Sequence, residues 1–566
     1  MHIPPPFGRI AAAAACILLS ACATGAHFGA DAAMTKPNPA LGAFLSARYA
    51  ESIGDSANAA RFYTVALKSD PQNPALLQDS FLAGLLAGSP VAVQLAPRLP
   101  GDALAALQLG NHAVANGDYD AATAYFKTLP DDQLTTLIQP LLLAWVQFGE
   151  GHEQAALASL RPSFNNGPFG AVYMLNAALI ADAAGDTQQA AQLYNVVGMQ
   201  PTTLRAAQIL ASWYARQGDE ARANEILMAL VTAHPDLGNA LPQLRAEMRQ
   251  KVVATPTQGL AEAYLTMAAS LSETRATFLR TVLLRFALEL RPDLASARLI
   301  LANSVLGAGT PGDKPSRARI EAALSILAPI QPTDPLYSTA VVQEASLEAL
   351  LDEPEAAIAL LNRLLASHPN NPGLLAGAGD ILRLANQCAL ALPYYQKAIA
   401  LVGAPPPAGA WSLFFDRGVC EDAQGNWNLA EPDIQQALKL SPDQPYVLNY
   451  LAYRWAQQGK NLKQAQAMLL RAASFDQNDG AVLDSLGFVE LKLGNTQQAL
   501  ALLIDAVQLA PTNAEVNAHL GDAFRQAGLT LQAIYQWNRA LTMHPDAALK
   551  ATLTQQIEQS IQVLTP

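Results

Sequence analysis

Charge is scarce in this chain of 566 residues: Asp, Glu, Lys and Arg make up only 14% of it, against 51% hydrophobic residues. Acidic side chains (47) outnumber Lys and Arg (35), giving a formal net charge of −12, and no basic cluster occurs. That balance argues against nucleic acid and anionic lipid surfaces as partners, because both need clustered cations. Aromatic residues are few, at 7%. Beyond the N-terminus no apolar run approaches the roughly 20 residues needed to span a bilayer. The motifs GxSxG, HExxH and CxxC are missing, and the carboxylates are scattered without an obvious catalytic pair. What is abundant is alanine. Alanine-rich apolar content without a membrane span fits closely packed helices. Length alone suggests about four domains.

The first residues stand apart. Met1–Ala21 has the layout of an export signal, with Arg9 as its formal charge and Ile10–Leu19 as an apolar core. About ten apolar residues are too few to cross a bilayer. Leu19-Ser20-Ala21-Cys22 resembles the bacterial lipobox, in which the chain is cut before the cysteine and the thiol carries diacylglycerol. The resemblance implies that Cys22 is the lipid attachment site. With Ala23 rather than Asp behind the cysteine, it implies the periplasmic face of the outer membrane. The alternative is an ordinary secretory signal. Acyl chains contribute about 0.8 kcal/mol per buried CH₂, enough to hold the product stably and to make lipid its one membrane contact. Losing Arg9 takes the net charge from −12 to −13. Residues 22–39, rich in Ala and Gly, read as a flexible tether of about 20–25 Å root-mean-square reach.

The rest of the chain repeats itself. "AVLDSLGFVELKLGNTQQALALLIDAVQLAP" (481–511) aligns with "EVNAHLGDAFRQAGLTLQAIYQWNRALTMHP" (515–545). Leu486-Gly487 answers Leu520-Gly521, Gly494 answers Gly528, Leu503 answers Trp537 and Pro511 answers Pro545, each 34 residues on. Period and pattern are similar to the tetratricopeptide (TPR) repeat. In such a unit two antiparallel helices approach through small residues, large residues fill the gaps, glycine turns the chain and proline ends the second helix. The expected fold is therefore all-α, a TPR superhelical solenoid of about 14 helix pairs with a C-terminal capping helix.

The frame divides the chain into clear repeats at 40–237, interrupted or degenerate helical repeats at 238–337, clear repeats again at 338–546, and a cap at 547–566. "ALPQLRAEMRQKVVATPTQ" (240–258) reads as an unpaired helix and a loop, and "GAGTPGDKPSR" (307–317) as a long turn inside a pair. Leu549, Leu553, Ile557 and Ile561 recur every fourth residue and make one apolar stripe suited to covering the last repeat.

Repeats from 40 to 546 leave no room for a catalytic domain, so no enzyme, cofactor or metal site is expected. "GAGTPGDK" lacks the adjacent Gly-Lys and the preceding strand of a phosphate loop. His234, His368 and His544 each precede a repeat-ending proline and suit helix C-termini better than a shared metal. Binding remains. By resemblance to TPR proteins, fixed positions of each first helix face the groove. In the last four repeats these include Phe415, Tyr446, Asn449, Tyr453, Asp484, Phe488, Lys492 and Arg525, a mixture of aromatic and charged residues suited to an interface. Phe415 and Tyr453 could equally pack between helices. Cys16 departs with the signal and Cys22 takes lipid, which leaves Cys388 and Cys420. In an oxidising compartment these form a candidate disulfide, with two small buried apolar residues as the alternative.

Three segments, "SPDQPYVLNYLAYRWAQQGKNL" (441–462), "DGAVLDSLGFVELKLGN" (479–495) and "AHLGDAFRQAGLTLQAIYQWNRAL" (518–541), resemble one proteobacterial family. It comprises the long TPR-repeat outer-membrane lipoproteins, with the LbcA-type adaptors among them. The likeness implies a scaffold that tethers a periplasmic C-terminal processing protease and helps it degrade peptidoglycan hydrolases. Leu451-Ala452-Tyr453 departs from the Leu-Gly-Tyr expected at that point. The alternative in the same compartment is a scaffold lipoprotein for envelope assembly or polysaccharide export.

Overall fold

The computed structural model describes residues 39–564, save 132, 199–202, 234–236, 238–239, 272–275 and 308–314. The signal, Cys22, the tether, His234 and most of the 307–317 turn therefore lie outside the described residues. Among the described residues the chain is helical, with no strand. Contacts divide it into two compact units, one closing at Gln108 and one running from Leu109.

The first unit holds the paired helices Pro39–Ser52 and Ser56–Ser69, then Pro74–Ala87 and the short Val91–Leu95. Its core is built on small residues: Ala47, Ala50, Ala59 and Ala60 let Tyr63 lie between the helices. The Tyr63 hydroxyl donates to Glu51 Oε2 at 2.9 Å.

The second unit is a succession of antiparallel pairs. The later ones, from Tyr337–Leu350 with Pro354–Ser367 to Ala514–Gln526 with Thr530–Leu541, follow the sequence frame closely. The reason is visible at the small residue of each first helix. A methyl group built on Gly379 would come within 2.7 Å of Tyr395, on Gly418 within 2.8 Å of Ile434 and on Gly487 within 2.6 Å of Leu503. Glycine there sets how closely the two helices of a pair approach. Gly494 ends its helix at φ 85°, a conformation that costs a residue with a side chain more. Ala547–Leu564 covers the last pair with Leu553 and Ile557, packed in one cluster with Trp537. Ile561, expected on the same stripe, is 47% exposed.

Cys388 opens the helix Cys388–Leu401 and is bonded to Cys420 on Trp411–Ala423. Their Cα atoms are 4.9 Å apart, inside the roughly 4.4–6.8 Å such a bridge takes. The free-thiol alternative is not what the structure holds.

The 240–258 interruption contains a short helix, Leu241–Glu247, followed by the start of Pro256–Ser270. That next helix departs most from the sequence expectation. Every residue from Gly259 to Ala268 is buried, so it is covered on all sides, unlike the amphipathic helices of a regular repeat. Besides its partner Thr277–Leu290, it packs against Gln133–Gly149 and Gly170–Ala184 from earlier repeats. Gly259 lies against the Trp145 ring so closely that a Cβ would overlap it. Trp145 Nε1 donates to Asn176 Oδ1 at 3.0 Å, and Asn176 Nδ2 donates to Thr266 Oγ1 at 3.3 Å. Tyr264 donates to Asn111 Oδ1 at 2.8 Å. The buried Glu262 carboxylate accepts from Arg205 Nε at 3.0 and 3.1 Å and from Arg291 Nη1 at 3.4 Å. This segment reads as a degenerate repeat in sequence because it packs against two sets of helices at once.

Candidate partner-binding face

Four first helices carry the candidate residues: Trp411–Ala423, Pro445–Gln457, Gly480–Leu493 and Ala514–Gln526. Two aromatic clusters form along them.

The first cluster joins the last three of these helices. Phe488 lies 4.5 Å from the His519 ring and 5.5 Å from the Tyr453 ring, centroid to centroid. Both oxygens of Asp484 lie 3.0 Å from His519 Nδ1. The Tyr453 hydroxyl donates to Glu515 and lies 3.4 Å from His519 Nε2. Lys492 Nζ sits 4.9 Å above the Phe488 ring, a cation–π arrangement at the surface. Burial pulls the His519 imidazole toward its neutral form, but the charge and hydrogen bond of Asp484 outweigh this and raise its pKa. Burial, and then the hydrogen bond to Glu515, push the Tyr453 phenol up.

The second cluster joins the first two helices. Phe415 stands edge-on to Tyr450 at 5.6 Å and lies 6.4 Å from Trp411. Tyr450 donates to Asp422 Oδ2 at 2.6 Å, and Arg454 Nη2 donates to Asp422 Oδ1 at 2.6 Å. The Arg454 guanidinium lies 5.3 Å from the centre of the Trp427 ring. Next to Phe415, Asp416 is pushed up to about 7 by burial and by the charge of Asp380 one repeat earlier, against the opposing Arg383, whose Nε lies 3.2 Å away.

The sequence-predicted residues therefore separate into classes. Asp484 and Phe488 are buried, contrary to the expectation that they line an open groove; the Asp484 carboxylate is taken up by His519, and the Phe488 ring fills the space between helices. Tyr453 and Phe415 are half-buried and pack between helices while keeping an edge exposed. Asn449 is half-buried, with Oδ1 shielded and without a partner. Tyr446, at 71% exposure, and Lys492 and Arg525 remain open to a partner. Arg525 lies 5.5 Å from the Trp537 ring. His519, Tyr450 and Asp416 are missing from the sequence expectation. Each is the sixth residue of its helix, one place from the positions expected to face the groove, and their recurrence at that place is the signal that could have found them.

His368 follows the helix Pro354–Ser367, and its Nδ1 lies 3.3 Å from Leu364 O. Among the described residues no group of His, Cys, Asp or Glu could hold a metal ion, and no helix is long and apolar enough to cross a membrane.

A protein built of tandem antiparallel helix pairs, with aromatic and charged residues gathered on successive first helices, belongs to the class of helical-repeat binding scaffolds. Tetratricopeptide-repeat family models match residues 206–236, 344–408 and 486–548, so the chain carries tetratricopeptide repeats in these segments. A TPR repeat-containing protein of Pseudomonas aeruginosa is 29% identical over 111 residues, 20% of this chain and 19% of that protein. A probable UDP-N-acetylglucosamine–peptide N-acetylglucosaminyltransferase, SPINDLY of Hordeum vulgare, is 26% identical over 174 residues, 31% of this chain and 18% of that one. The chain thus spans about a fifth of the length of these curated relatives. Among solved structures, the APC/C hetero-tetramer Cut9–Hcn1 is similar over 81% of this chain and 96% of its own, at 15% identity and a TM-score of 0.39. No partner or activity follows from likeness at that level.

Proposed function

We propose that this chain is a lipid-anchored periplasmic TPR adaptor that holds a partner protein on the inner face of its C-terminal repeats. One observation carries the placement. The inner face of the repeats around Trp145 and Asn176 is filled by the chain's own helix Pro256–Ser270, whereas Tyr446, Lys492 and Arg525 on the C-terminal repeats stay open. Tyr446 opens its helix, while Lys492 and Arg525 lie in the last turns of two later ones; exposed Tyr and Arg are residue types enriched in interface hot spots. The lipobox supports the anchor at Cys22 and the outer membrane as location. The family resemblance of the C-terminal third supports a C-terminal processing protease as the partner, with peptidoglycan hydrolases as its substrates.

The test has two arms. Cells labelled with palmitate should yield labelled wild-type protein in the membrane fraction and unlabelled Cys22→Ala protein in the soluble periplasm; a Cys22→Ala protein still on membranes would sink the anchor. Purified processing protease from the same cells should bind the wild type and lose affinity for the Tyr446→Ala and Lys492→Ala variants. No measurable binding to the wild type would exclude that protease as the partner.

A further inference from the structure

Pro256–Ser270 does not fill the inner face of the earlier repeats completely. A cavity of about 200 Å³ remains beside its C-terminal half. The walls are apolar: Val172 and Leu175 from Gly170–Ala184, Leu204 from Leu204–Arg216, Leu265 from the inner helix, and Leu299 and Ile300 from Ala295–Leu306. Arg205 borders it too, but its guanidinium is engaged by Glu262.

Four hydroxyls reach these walls, and three are occupied. Thr203 accepts from the Ala206 amide, Thr266 donates to Glu262 O at 2.6 Å, and Ser270 donates to Thr266 O at 2.9 Å. Ser296 is different. Its side chain is buried, and its Oγ has no hydrogen-bond partner. A buried hydroxyl left unpaired is unfavourable. Ser296 also lies in the first turn of Ala295–Leu306, which begins without a side-chain cap, so the helix end adds positive partial charge at the same place.

We propose that this cavity binds a short acyl chain whose head oxygen accepts a hydrogen bond from the Ser296 hydroxyl. The size fits: an apolar protein cavity of about 150 Å³ takes benzene, so this one suits a chain of about six to eight carbons. Apolar walls with one placed polar group are the usual makeup of a small-molecule site. The site is separate from the partner-binding face and does not rest on the adaptor reading.

The test is calorimetric titration of the full chain with octanoate and with 1-octanol. Saturable binding of one equivalent is expected for at least one of them. Preference for octanoate would assign a carboxylate head, and preference for octanol a neutral one. Ala269→Leu and Leu299→Phe, which narrow the cavity at its rim and wall, should each weaken binding at least tenfold. Ser296→Ala should weaken it several-fold without changing the helical circular dichroism. Should Leu299→Phe fail to fold, the rim variant Ala269→Leu decides alone. Absence of saturable binding by both probes would overturn the proposal. So would binding that persists unchanged in Ala269→Leu or in Ser296→Ala.

Discussion

Replacing Gly259 by alanine tests the docking of the inner helix. A new methyl at this buried position would enter the Trp145 ring. Trp145 is fully buried and tied through Nε1 to Asn176. Three effects compete. Alanine favours a helix over glycine by about 1 kcal/mol. Overpacking a filled core costs about 1–3 kcal/mol. If Trp145 turns aside to relieve the overlap, its bond to Asn176 is lost at a further cost of about 1–3 kcal/mol, because both groups stay buried. With that bond lost the penalties exceed the propensity gain, and a net loss of about 1–5 kcal/mol is expected. Gly377 is the matched control. It lies inside Pro372–Leu384, and nothing stands within 4 Å of where its Cβ would be. Gly377→Ala should therefore stabilise by about 0.5–1 kcal/mol through the same propensity term. Amide hydrogen exchange read on peptides covering 133–149 and 256–270 separates the two, since each 1.4 kcal/mol lost locally is about a tenfold loss of protection. The reasoning fails if Gly259→Ala keeps wild-type protection in both helices, or raises the melting temperature as Gly377→Ala does.

Phe488→Ala should cost about 3–5 kcal/mol of stability, because the ring is buried between helices; Tyr446→Ala, on an exposed ring, should leave thermal melts within about 0.5 kcal/mol and lower partner affinity by about 1–3 kcal/mol. Equal effects of the two on melting would contradict the burial difference. The bond between Cys388 and Cys420 should leave neither thiol reactive without reductant, and Cys420→Ser should cost about 3–4 kcal/mol; two titrating thiols from this pair in native, unreduced protein would refute it. The raised His519 pKa reports an imidazolium held by Asp484, with Glu515, Tyr453 and Asp522 also close. Its contribution to stability is present in full below about pH 6.5, the unfolded value, and is lost as pH rises through the folded one. His519→Gln should flatten this part of the stability–pH profile, and an identical slope in wild type and variant would remove the ion pair from the account.

The pairs in the later repeats were legible because their pattern is sterically enforced. Gly418, Gly487 and Gly521 each sit against a large residue of the second helix, so the spacing of small to large survives in the sequence. Pro256–Ser270 was not legible as an inner helix. Its run of Ala, Leu, Tyr and Met reads as part of a degenerate repeat, and only the contacts to Trp145, Asn176 and Asn111 show what it packs against. Those partners lie far away in sequence and leave no periodic trace. At the partner-binding face, period alone located the right helices but could not fix rotation within them. Phe488 and Asp484 satisfy the groove positions and still point into the packing, because His519, one place outside the pattern, draws them in.

The inner helix also bears on the order of folding. A simple repeat array assembles by neighbour contacts, so each pair can complete itself as soon as it emerges. Here Asn111 meets Tyr264 across 153 residues, and Asn176 meets Thr266 across 90. The earlier repeats can form their helices on emergence, yet their interior stays unfinished until residue 270 has emerged as well. Loop closure over such distances slows folding and leaves apolar surface around Trp145 uncovered in the meantime. That interval is where a holding chaperone would act on the emerging chain, and where this array ceases to behave as a one-dimensional stack.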